Sequence, residues 1–206
     1  MPKILSVLGA QAFELIRDRI AIILADEIEG QYLLTYDPDF GRMGVYVEAS
    51  NPDDKEDLPK VNVSLATGSW PLLKEYNGEI LGTYIYNIDV YASSPSNDSA
   101  EGDNLSAVKL HKILGVCRAI IDNPIYRNLS YPSGFVQRVS VTDLNIRVDS
   151  KDMNNDALNT RMGRVTVTVE ALEKVSLLQG VLLTDSYATA TLNNTNNGYY
   201  YSGLQS

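Results

Sequence analysis

His111 and Cys117 are the only residues of their types in this 206-residue chain, and together they could supply the base and nucleophile of a thiol enzyme. Both fall in "NLSAVKLHKILGVCRAIIDNP", which reads as one helix. Six positions at 3.6 residues per turn send them to different sides, so they cannot pair locally. Cys117 reads as a small core hydrophobe and His111 as an exposed side chain. With one cysteine, neither an intrachain disulfide nor a thiolate metal cluster can be built.

The acidic residues offer two more candidates. Asp37 and Asp39 in "YDPDFGRMG" have the alternation of a calcium loop, but the later oxygen ligands and the distal glutamate are missing, so a plain turn is expected. Their "DFG" lacks the other segments of a kinase. Asp53, Asp54, Glu56 and Asp57 surround Lys55 in "NPDDKEDLPK". Paired carboxylates do acid–base work only when something raises a pKa, and a charge-rich loop stays solvated. No catalytic residue, metal ligand or cofactor is assigned. An enzyme relying on carboxylates alone stays open as a minor reading.

Thirteen tyrosines stand against three phenylalanines and one tryptophan. A tyrosine packs its ring while its hydroxyl stays wet, which suits a protein interface and an amphipathic sheet alike. Tyr84, Tyr86 and Tyr91 lie in "TYIYNIDVYA". Tyr84 and Tyr86 could also line a ligand pocket with Trp70, as in a cytosolic α+β binding module. Tyr199, Tyr200 and Tyr201 lie near the end of the chain, where docking on a neighbour explains them better than a core does.

The elements that hold these residues follow from periodicity. Phe13, Ile16, Ile20, Ile23 and Leu24 predict a helix over 13–28, with Gly30 as its stop. A short strand is expected at 44–49 and a loop at 51–60. Val61, Val63 and Leu65 alternate with Asn62 and Ser64, a half-buried strand. Residues 67–82 read as a connection with an Asn77-Gly78 turn, and 83–91 as a long strand. The polar loop 93–104 leads to a helix capped by Asp103 or Asn104. That helix buries Leu110, Ile113, Leu114, Cys117, Ile120 and Ile121, and Asn123-Pro124 ends it. In 135–149, Val139 and Val141 are out of phase with Leu144, Ile146 and Val148, which predicts a bulge near Thr142 and Asp143. After a polar connection at 151–160, residues 163–175 alternate valine with threonine, the clearest strand.

The expected fold is α+β: a mainly antiparallel sheet with two amphipathic helices on one face. Residues 1–175 form a single domain, and 176–206, poor in charge and rich in Asn, Thr and Tyr, a C-terminal extension, either an arm laid on something else or a frayed tail. There is no internal repeat.

A net charge of −9 argues against gripping nucleic acid and against an anionic membrane. No apolar run reaches the length of a membrane span. The start, "MPKILSVLGAQA", imitates a signal peptide, but its apolar run is short and flows into a charged amphipathic pattern, so retention is expected. The Asn-X-Ser/Thr triplets at Asn62, Asn97, Asn104, Asn128 and Asn193 are read as chance.

The order of segments resembles the tail terminator, or tail-completion, proteins of tailed bacteriophages, and more broadly their head-to-tail joining proteins. The resemblance rests on "FELIRDRIAIILADEI", "TYIYNIDVYA", "NLSAVKLHKILGVCRAIIDNP", and the strands "VSVTDLNIRVD" and "RMGRVTVTVEAL", spanning 13–175. It implies a structural virion protein, assembled in the host cytoplasm. It would form a hexameric ring that ends the tail tube and joins it to the neck. Implied partners are further copies of the chain, the tail tube protein, neck connector proteins, and a sheath protein if the tail contracts. Genomic DNA would pass through without specific binding, and no membrane is involved. A stopper or adaptor ring of the neck is the nearest alternative. Expected contacts are Tyr91, then Ser94, Asp98 and Glu101 in the loop, then Asp53, Asp54, Glu56 and Asp57, and finally Tyr199, Tyr200 and Tyr201.

Overall fold

Isoleucines and leucines at spacings of three and four make α1, Ala12–Thr35, with Ile16, Ile20, Leu24 and Ile28 buried along one stripe. At its start the Glu14 carboxylate accepts the Gln11 N–H at 2.8 Å, which satisfies an amide the first turn leaves free. This computed structural model describes residues 10–41, 43–48, 59–71, 79–94, 102–147 and 159–174.

Gly30 does not end α1. The helix runs to Tyr36, which adopts φ 53° and donates its N–H to the Tyr32 carbonyl at 2.7 Å. Glycine inside a helix costs only about 1 kcal/mol against alanine, too little to stop a helix whose neighbours hold it. Pro38, two residues past the cap, prevents continuation. A Cβ at Gly30 would meet nothing within 4 Å. Gly30→Ala is therefore expected to stabilise the fold by about 0.5–1 kcal/mol, read as a higher urea midpoint. A lower midpoint would mean that Gly30 serves a left-handed turn after all.

Five strands follow: β1 Gly44–Val47, β2 Lys60–Ser69, β3 Glu79–Ser94, β4 Val136–Arg147 and β5 Asn159–Lys174. Between β3 and β4 come α2, Gly102–Ile121, and a single 3-10 turn at Pro124–Tyr126. The sheet order is β1-β2-β3-β5-β4. β1 and β2 are parallel and the other pairs antiparallel, so the sheet is mixed but mainly antiparallel, an α+β fold. The parallel pair is possible because residues 48–59 give the chain enough length to return.

β3 and β5 pair along their whole length, from Glu79 opposite Lys174 to Ser94 opposite Asn159. The connection expected at 67–82 is thus shorter, since Thr67, Gly68 and Ser69 belong to β2 and 79–82 to β3. Small residues hid this, and a bulge after Leu65 resets the register so that Gly68 faces Tyr84. The bulge expected in β4 falls between Val141 and Asp143, leaving Thr142 as the extra residue. It keeps Val139, Val141, Leu144 and Ile146 on one face.

α2 starts at Gly102, so Asp103 and Asn104 lie in its first turn and not at its cap. Its stripe from Leu110 to Ile121 is buried as the spacing predicts, and Asn123 starts the 3-10 turn by accepting the Ile125 N–H at 3.1 Å. Both helices lie on one face of the sheet: α1 packs on β1 and β2, α2 on β3 and β5 and more lightly on β4, and the helices touch each other. Beneath them Val61, Val63, Tyr84, Tyr86, Ile88, Val90, Val165, Val167 and Val169 form the core.

Candidate assembly surfaces and polar clusters

Asp37, Asp39 and Cys117, three of the residues singled out for chemistry, are committed to holding the fold. Lys112 pairs with the carboxylates of Asp37 and Asp39, the latter at 2.8 Å, and Lys109 lies 3.7 Å from Asp39. The Asp39 N–H bonds the Asp37 side chain at 3.1 Å, a turn closed by its own aspartate. The hydrogen bond from Lys112 holds the Asp37 carboxyl below the usual carboxylate range. The pair is a plain turn that fastens the end of α1 to α2. Among the described residues no group of His, Cys, Asp or Glu could hold a metal ion. His111 is exposed; Cys117 is buried, and burial pushes its thiol up to about 12.

Tyr84 and Tyr86 line no open pocket: both are fully buried under the helices. The Tyr86 hydroxyl donates to the Phe13 carbonyl at 2.9 Å, tying β3 to the first turn of α1. The Tyr84 ring reaches the space a side chain at Gly82 would need, and its hydroxyl finds no partner among the described residues. Trp70 stands edge-on to Tyr84 and its indole N–H donates to Glu173 at 3.0 Å, while half of its own surface stays exposed. The two hydroxyls should respond oppositely to removal. Tyr86→Phe is expected to lose about 1 kcal/mol and Tyr84→Phe to gain about as much, since an unpaired buried hydroxyl carries only its desolvation cost. Equal losses in a thermal melt would show that Tyr84 has a partner.

The outer face of the sheet, away from the helices, is polar at its centre. Asp89 on β3 faces Arg164 on β5, and the guanidinium holds both carboxylate oxygens, at 2.6 and 2.8 Å. Lys60 and Asn62 on β2 are buried beside this pair, so the start of β2 is covered on both faces rather than half-buried. Tyr91, one of the expected contacts, lies on this face between Lys60 and Met162 and is half-buried. Ser94 closes β3 at 5 % exposure, which takes its hydroxyl off the surface of a single chain. Asp98, Glu101, Asp53, Asp54, Glu56, Asp57, Tyr199, Tyr200 and Tyr201 lie outside the described residues, as does the extension 176–206.

Two apolar surfaces that periodicity did not single out are exposed, one at the end of α1 and one on the edge strand β4. At the end of α1, Leu33 is exposed, and Leu34 and Tyr36 are each 77 % exposed. At the far edge of the sheet Leu144 and Ile146 on β4 are 39 % and 42 % exposed, although they point to the helix side. The signal for the first was partial: the stripe of α1 runs 16, 20, 24 and 28 and position 33 falls off it, whereas 34 returns to the line of Ile16. The second could not be found without knowing which strand is left uncovered.

No protein-family model matches the chain, and no curated protein matches it. No helix among the described residues is long and apolar enough to cross a membrane.

Proposed function

We propose that this chain is a structural virion protein of a tailed bacteriophage, a subunit of a six-membered ring that ends the tail tube and joins it to the head–neck connector. DNA passes through the ring and nothing is catalysed. The observation that carries the reading is the pair of unlike apolar surfaces on one subunit, at the end of α1 and on the edge strand β4. A closed ring needs two different patches used in turn until the rotation closes, whereas a two-fold dimer needs one patch that matches itself. The acidic balance, −9 in net charge, suits a conduit whose wall repels DNA. The occupation of Asp37, Asp39 and Cys117 by structural roles fits a protein that works by contact.

A stopper or adaptor ring of the neck would use the same surfaces, and position in the particle separates the two. The experiment is gold-labelled antibody against the chain on particles induced from the organism that carries it, with mass spectrometry of the purified particles. Label at the head–tail junction, at the tail side of the neck, is expected. Particles that lack the chain would refute the virion role.

A further inference from the structure

We draw no further inference here: the strongest candidate, the exposed apolar patch of Leu144 and Ile146 on the edge strand β4, carries none because nothing in the structure shows what covers it.

Discussion

Asp89→Ala should cost about 3–5 kcal/mol, because it leaves the Arg164 guanidinium uncompensated in the middle of the outer face. Asp89 is buried and Arg164 largely so, and the geometry is the two-pronged one that a carboxylate and a guanidinium make best. The same reasoning predicts that the pair is not itself a large source of stability. Removing both charges, as Asp89→Leu with Arg164→Met, should recover most of the loss, since it also removes the desolvation of two ions. Urea unfolding of the two single variants and the double variant measures this directly. A double variant as unstable as Asp89→Ala would mean that Arg164 also depends on other groups on that face.

The second large effect is expected where α2 crosses β5. Leu114 occupies the place a Cβ at Gly163 would take, so the helix sits in a notch that only glycine leaves open. Leu114→Ala should cost about 2–5 kcal/mol, the transfer free energy of the lost atoms plus the cavity. Gly163→Ala alone should cost about 1–3 kcal/mol by overpacking. In the Leu114→Ala background the same glycine change should cost nothing or restore stability, because the new methyl fills part of the vacated space. A double-mutant cycle reads this coupling, and simple additivity would contradict the packing of α2 on β5.

Much of this fold was legible before any coordinates. The stripes of α1 and α2 are aliphatic and regular, and the valine–threonine alternation of β5 admits one reading. The phase change between Val141 and Leu144 announced the bulge at Thr142, because a period of two leaves no other way to keep both pairs on one face. The parallel pairing of β1 was hidden, since four residues carry no information about direction. Thr67-Gly68-Ser69 in β2 was hidden because small residues do not alternate in hydropathy. The end of α1 was misplaced because Gly30 looks like a stop while the cap that closes the helix, Tyr36 in the left-handed region, does not.

The assembly surface was less legible. Tyrosine drew attention to β3, yet Tyr84 and Tyr86 turned out to be core. Leu144 and Ile146 looked like ordinary strand residues, and only the sheet order, with β4 at the edge that α2 covers least, makes them exposed. A surface of this kind depends on what is left uncovered after everything local has packed, which no short stretch of sequence encodes.

The central claim is that this chain works as one of several identical subunits joined head to tail. The most direct measurement is the mass of the purified protein by light scattering over a wide dilution range, with imaging of any large species. The account predicts a mass near 136 kDa, about six times the 22.7 kDa chain, and an open ring in projection. A species that remains a monomer at every concentration, or stops at a two-fold dimer, would contradict it.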